Sequence, residues 1–283
     1  MSKPFRGALL GRHIGYSLSA EIFGRMYELL DIDGTFEMFD VASEELDSAL
    51  IRLREFDGFS VTVPYKEAVI AHLDRMDAVA TAIGAVNSVS CDSGNLTGYN
   101  TDWQGFLHPL QDKIQGGDRI TVIGNGGAAR AVVWALLTAY PEVLVTIAGR
   151  DMEKSNRLAE RLVTLDKAYG ARMACVAIDG LAAIEAEIAV NCTPVGSSCS
   201  PEISPVPESC DISGVRIAYD LGYVPEETGF LRHMSESGCE AINGLPMLVH
   251  QAAASLAVWR KQKLDIEEIA RVVLTDVSGV NRC

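Results

Sequence analysis

No run of this sequence approaches the roughly twenty consecutive apolar residues that a membrane-spanning helix needs. The opening stretch, MSKPFRGALLGRHIG, holds too short an apolar segment for a secretory signal. Basic residues are scarce. The 24 Lys and Arg stand against 38 Asp and Glu, and the net charge of −14 disfavours a nucleic-acid or anionic-membrane surface while allowing a local basic site. Seven cysteines, an odd number, occur without C-x-x-C pairs or a tight framework, so they read as thiols in a reducing cytoplasm. Five histidines show no metal-ligand spacing and no G-x-S-x-G elbow occurs, which leaves metal catalysis and Ser-His hydrolysis without support and the expected metal content at none.

What the chain does have is the make-up of an enzyme-sized globular protein. Its 283 residues are long for one core and comfortable for two domains, and 48% hydrophobic with 22% charged residues argues against disorder. The most informative stretch is RITVIGNGGAARAVVWALL, 119–137. A short β-favouring run, Ile120 to Ile123, passes into Gly124-Asn125-Gly126-Gly127-Ala128-Ala129 and then at once into a helical apolar pattern. A G-x-G-x-x-A turn between strand and helix lets backbone approach a pyrophosphate, because glycine can take positive φ and carries no Cβ. The helix N-terminus adds free N–H groups for the anion. The next strand, Val143 to Ala148, ends in Gly149-Arg150-Asp151 with Lys154 one turn on. An acid at such a strand end suits the ribose 2′-hydroxyl of NAD and an arginine the 2′-phosphate of NADP, so Arg150 and Lys154 favour NADP and leave NAD as the alternative.

The first hundred residues also alternate strand and helix. Gly7–Leu10 reads as a strand, Gly11–Ser19 as a loop and Ala20–Leu30 as a helix, with Ser17 or Ser19 as its N-cap or, together, as a carboxylate-holding pair of hydroxyls. Thr35–Phe39 is a strand and Ser43–Glu55 a helix. The segment Gly58–Lys66 is a strand stopped by Pro64, so that Lys66 opens a helix at a sheet edge where ligands bind, although a lysine there opposes the helix dipole. A single helix is expected over Glu67–Ile83. Asn87, an amide in an apolar run, either bridges backbone segments or binds a substrate hydroxyl. A hairpin turn at Cys91–Asn95 then leads to Asp102, which caps the following helix or pairs with Lys66.

Further on, the pattern predicts a helix over Met152–Tyr169, strands over Ala174–Ile178, Ile188–Val190 and Ile217–Leu221, and a short helix near Leu181–Glu185. The Ser/Pro-rich run 197–207 reads as a surface loop or a lid. Thr228 begins a helix, 240–242 is a last short strand, and two more helices follow from 243 and 266. Gln251, on a largely apolar helix face, is a satisfied core residue or closes a substrate site.

Taken together, GRHIGYSLS, FSVTVPYK, GAVNS, GYNTD, VIGNGGAAR, NCTPVG, YDLGYVPEET and GLPMLVHQAAASLAVW resemble, in order and spacing, the shikimate dehydrogenase family over nearly the whole chain. The resemblance implies an α/β fold of two domains: a Rossmann-type doubly wound dinucleotide-binding domain at 105–242, and an α/β substrate-binding catalytic domain at 1–104 completed by C-terminal helices at 243–283. It implies Lys66 and Asp102 as the catalytic pair, with Asn87 and Asp102 for the ring hydroxyls, and the chemistry of such a pair has Lys66 passing the proton while Asp102 orients it and the hydroxyl. Ser17 and Ser19 match groups for the substrate carboxylate, and Thr62, Asn87, Tyr223 and Gln251 match further substrate contacts. Gly124, Asn125, Gly126, Gly127, Ala128, Arg150, Lys154, Asn191, Thr193, Leu221, Gly244 and Met247 match cofactor positions.

The function implied is NADP-dependent reduction of 3-dehydroshikimate to shikimate by a cytoplasmic enzyme, monomer or homodimer, whose partner is a small cyclic hydroxy acid. His13, Gly15, Tyr16, Ala20, Ser60, Ser197 and His250 depart from the family's usual residues. Those departures keep open quinate or another cyclic hydroxy acid, with NAD or NADP. A nucleotide-binding regulatory module without turnover is the remaining alternative, and the presence of Lys66 and Asp102 argues against it.

Overall fold

A computed structural model describes residues 3–179, 181–197 and 201–278. Residues 198–200, within the Ser/Pro-rich run, and Cys283 lie outside the described residues. The chain forms two compact α/β units, one from Met1–Gly105 with Leu248–Cys283 and the other from Phe106–Met247.

The first unit is built on a mixed six-stranded sheet. Its strands are β1 (Phe5–Gly11), β2 (Gly34–Asp40), β3 (Gly58–Val61), β4 (Arg75–Met76), β5 (Ser88–Asp92) and β6 (Asn95–Tyr99), in the order β2-β1-β3-β5-β6-β4. Its helices are α1 (Ser19–Leu29), α2 (Leu46–Leu53), α3 (Tyr65–Ala68), α4 (Ala78–Ile83) and most of α9 (Leu245–Arg260), with α10 (Ile266–Ser278) packed on α1. Strand alternation divides the side chains between two faces. Ala8, Leu10, Phe59 and Val61 turn to a core shared with Leu46, Leu50 and Leu53 of α2. On the other face Gly58 makes room for a tryptophan: a Cβ there would lie 2.2 Å from Cγ of Trp259.

The second unit is a fully parallel sheet of β7 (Arg119–Ile123), β8 (Leu144–Gly149), β9 (Met173–Ala177), β10 (Ile188–Asn191), β11 (Ile217–Asp220) and β12 (Glu240–Ile242). The order β12-β11-β10-β7-β8-β9 is doubly wound, with the direction of winding reversing between β7 and β10. Ligands of such sheets bind outside the carboxyl ends of the strands at that reversal. Among the described residues, α6 (Gly127–Ala139), α7 (Met152–Leu165) and α8 (Gly229–Glu236) pack on this sheet. A short α5 (Asp102–Leu107) links the chain into it.

Three sequence expectations are corrected. The single helix over 67–83 is instead α3, a 3-10 turn at Val69–His72, β4 and α4. Its apolar spacing is interrupted by two carboxylates with better partners elsewhere: Asp74 accepts from Leu96 N at 2.8 Å and pairs with Arg54, and Asp77 caps α4 through Ala80 N at 2.7 Å. Residues 181–185 form no helix, because Ala183 bridges Asp211 as an isolated β-pair. The helix over 152–169 ends at Leu165, where Asp166 turns extended and caps a 3-10 segment through Ala168 N.

Candidate active site

Lys66 lies in α3, five residues past the end of β3, and Asp102 opens α5, three residues past the end of β6, so the same end of the sheet carries both. Lys66 Nζ donates to Asp102 Oδ2 at 2.6 Å, with side chains only 14% and 4% exposed. A short charge-assisted bond in so dry a setting is strong, and a lone charge left there would be costly. The segment around the lysine is fixed: Val86 N donates to Lys66 O at 2.8 Å, and the hydroxyl of the neighbouring Tyr65 donates to Val41 O at 2.8 Å. Helix α3 is only four residues long, so the dipole penalty expected for a first-turn lysine has little helix to act through.

Asp102 opens α5 and does not need to cap it. Asn100 Oδ1 accepts from Asp102 N at 3.1 Å, which leaves the carboxylate for Lys66 and for Asn87, whose Nδ2 lies 2.9 Å from Asp102 Oδ1. The same amide reaches Gln251 Oε1 at 3.0 Å and Thr101 Oγ1 at 2.9 Å, and its Oδ1 accepts from Thr101 N at 2.7 Å. Lys66, Asp102, Asn87 and Gln251 therefore share one buried network.

Thr101 and Ser255 are the members that sequence reasoning missed. Thr101 Oγ1 lies 3.0 Å from both Gln251 O and Ser255 Oγ, tying α9 to Asn87 and through it to the carboxylate. Position 101 is a hydroxyl beside an expected site residue, but its partners on α9 lie 150 and 154 residues away and only folding reveals them.

The two serines form a separate pair. Ser17 Oγ donates to Ser19 Oγ at 3.1 Å, and the cap position of α1 is Leu18, with no side-chain cap bond. The expectation that one hydroxyl caps this helix is therefore wrong by one position. Thr62 stands beside Gly11, where a Cβ would come within 2.5 Å of both Thr62 Cγ2 and Ile14 Cγ2, so the loop after β1 lies close against it.

In the second unit the glycine turn has the form a dinucleotide needs. Gly124 holds φ +114 and would press a Cβ to 3.1 Å from Thr193 Cγ2, while a Cβ on Gly126 would meet nothing within 4 Å. Backbone is thus bare at the start of α6, where Gly127 and Ala128 begin the helix and present its first N–H groups. Asn125 acts as a brace, its Nδ2 donating to Asp151 O at 2.9 Å and Ser155 Oγ at 3.1 Å. Arg150 is exposed at the end of β8, and Asp151 caps α7 by accepting from Lys154 N at 2.9 Å. These residues fit a dinucleotide carrying a 2′-phosphate.

The ends of β10 and β11 hold a second buried network. Asn191 Oδ1 accepts from Thr193 N at 2.9 Å and Thr193 Oγ1 at 2.7 Å, and Asn191 Nδ2 donates to Asp220 Oδ1 at 3.1 Å and Val195 O at 3.1 Å. Burial pushes the Asp220 carboxyl up to about 6, while donors from Thr228, Gly222 and Asn191 pull the other way. Leu221 N donates to Asn191 O at 3.0 Å. Gly244 packs so closely on this loop that a Cβ would sit 2.2 Å from Leu221 O. Tyr223 lies half-buried in the same loop, and Met247 is buried on α9.

Residues 9–89 match the family model described as the shikimate dehydrogenase substrate binding domain. The shikimate dehydrogenase (NADP(+)) of Salinibacter ruber is 38% identical over 259 residues, covering 89% of this chain and 90% of that protein. Shikimate dehydrogenase 1 of Peptoclostridium difficile superposes with a TM-score of 0.86 at 29% identity, over 97% of this chain and 98% of the other. Shikimate 5-dehydrogenase of Thermus thermophilus, solved in complex with NADP(H) and shikimate, superposes with a TM-score of 0.80 at 35% identity, over 95% and 99% of the two chains.

Proposed function

Because the chain belongs to the shikimate dehydrogenase family, we propose that it catalyses the reversible NADP-dependent reduction of 3-dehydroshikimate to shikimate, a step of aromatic amino acid biosynthesis. The observation that carries this reading is the 2.6 Å contact of Lys66 with Asp102 inside a network of otherwise neutral polar side chains.

Reduction of the ketone requires a proton at the oxygen as the carbon gains hydride. Bound NADPH supplies that hydride. The Lys66 ammonium gives its proton to the carbonyl oxygen and, in the reverse direction, takes it from the hydroxyl. Asp102 holds Lys66 Nζ through Oδ2 and is itself held through Oδ1 by Asn87. Asn87 and Asp102 are the groups for the ring hydroxyls, with Gln251 a further substrate contact. The Ser17 and Ser19 hydroxyls serve the carboxylate as neutral donors, with Thr62 and Tyr223 as further contacts. Proton transfer by a placed side chain contributes about 10²- to 10⁴-fold in rate.

For the cofactor, Gly124, Gly126, Gly127 and Ala128 would hold the pyrophosphate, Arg150 and Lys154 the 2′-phosphate, and the segments at Asn191, Thr193, Leu221, Gly244 and Met247 the nicotinamide half. On this reading unit Phe106–Met247 is the dinucleotide domain, and the other unit binds substrate. The free thiols described at Cys91, Cys175, Cys192, Cys210 and Cys239 suit a cytoplasmic enzyme. The test is absorbance at 340 nm with shikimate and quinate, each with NADP and NAD. Turnover is expected to be fastest with shikimate and NADP; no turnover with any pair, despite tight cofactor binding, would contradict an enzymatic role.

A further inference from the structure

Asp220 is 1% exposed at the carboxyl end of β11, directly across from the fully buried Asn191 on β10. Three neutral donors hold its carboxylate: Thr228 Oγ1 at 2.6 Å on Oδ2, and Gly222 N at 2.8 Å with Asn191 Nδ2 at 3.1 Å on Oδ1. The donors come from two pieces of chain, the end of β10 and the loop after β11. Asn191 governs the loop after β10 through Thr193 and Val195. Gly222 begins the loop after β11, and Thr228 ends it while capping α8 through Leu231 N at 3.2 Å. A Cβ on Gly222 would lie 3.1 Å from Asp220 Oδ1, so the loop closes tightly over the carboxylate.

Sheet order says what these loops serve. Arg150 follows β8, the glycine turn follows β7, and β10 and β11 come next in the row β8-β7-β10-β11. A dinucleotide with its 2′-phosphate at β8 and its pyrophosphate at β7 therefore carries its nicotinamide half to the ends of β10 and β11. Asn191 has both amide atoms engaged within the protein, so it is tied into the same support.

We propose that Asp220 is a positioning residue, whose carboxylate joins the loops after β10 and β11 and fixes the shape that accepts the nicotinamide half of the cofactor, without touching the cofactor itself. The proposal rests on the NADP reading above. Its test compares NADPH with 2′,5′-ADP, which carries the adenosine and 2′-phosphate but no nicotinamide, by calorimetric titration of wild type and Asp220→Asn. The Kd for NADPH is expected to rise about tenfold, as for one lost charge-assisted hydrogen bond, with that for 2′,5′-ADP held within about twofold. Thr228→Val is expected to repeat this split, and Thr228→Ser, which keeps the hydroxyl, to bind both ligands like wild type.

Equal weakening of both ligands would make Asp220 a general strut and overturn the proposal, as would unchanged NADPH binding. If Asp220→Asn does not fold, the Thr228→Val and Thr228→Ser pair decides by the same criterion. Wild type that binds 2′,5′-ADP and NADPH equally well would also overturn it, since the nicotinamide half would then gain nothing from these loops. Failure of the cofactor reading itself is distinct, because wild type would then bind neither ligand.

Discussion

Replacing Asp220 by asparagine should change how stability depends on pH, and the size of the change follows from the site. Burial lifts this carboxyl from an ordinary 3.8 to about 6. A folded-state value above the unfolded one means that the folded protein holds the proton longer. The residue's favourable contribution is then complete below about pH 4 and is lost as pH rises through about 6. At about 1.4 kcal/mol per tenfold in proton affinity, the loss amounts to about 3 kcal/mol. Around Asp220 the titratable groups on neighbouring segments are Cys192, Tyr219, Tyr223, Glu226 and Glu227, while Arg232 pairs with Glu202 and Glu227. Urea unfolding of wild type and Asp220→Asn at intervals from pH 4 to 7.5 isolates the effect, since the remaining carboxylates cancel between them. The stability of wild type relative to the variant should fall by about 3 kcal/mol across that range, mostly between pH 4 and 6.5. A difference that stays constant with pH would refute the reasoning.

Thr101→Val keeps shape but strips the hydroxyl that meets Asn87, Gln251 O and Ser255. It should cost about 2 kcal/mol in chemical denaturation and lower kcat/KM for shikimate about tenfold, with the Kd for NADPH unchanged. Tyr219→Phe should stabilise the protein by about 1 kcal/mol in the same assay. Its hydroxyl is fully buried with no hydrogen-bond partner among the described residues, and the ring keeps its 5.5 Å stack on Phe106. Asp151→Ser retains a cap for α7 while removing a negative charge beside Arg150, so KM for NADP should fall about two- to fivefold and KM for NAD should hold, measured at 340 nm.

The pattern of residues carried some parts of this molecule well and others hardly at all. The strand, turn and helix at 119–139 were legible because each local preference agrees: β-branched residues, then bare glycine, then a helical apolar face. The region 67–83 was not, since its apolar spacing suits a helix while Asp74 and Asp77 answer to backbone N–H groups that only the fold brings near. Lys66, Asp102, Asn87 and Gln251 could be picked out as polar residues at strand ends or on an apolar helix. Thr101, Ser255 and Asp220 escaped because their roles consist of what they meet. A buried carboxylate supported by neutral donors has no signature in a sequence, and one of its donors arrives from a strand end 29 residues away.

The most direct measurement concerns the lysine. In Lys66→Gln, single-turnover reduction of 3-dehydroshikimate at 340 nm, run beside calorimetric titration of shikimate and NADPH, should show the rate reduced about 10³-fold with both dissociation constants within a few-fold of wild type. A rate within tenfold of wild type, in a folded variant that still binds both ligands, would contradict the account.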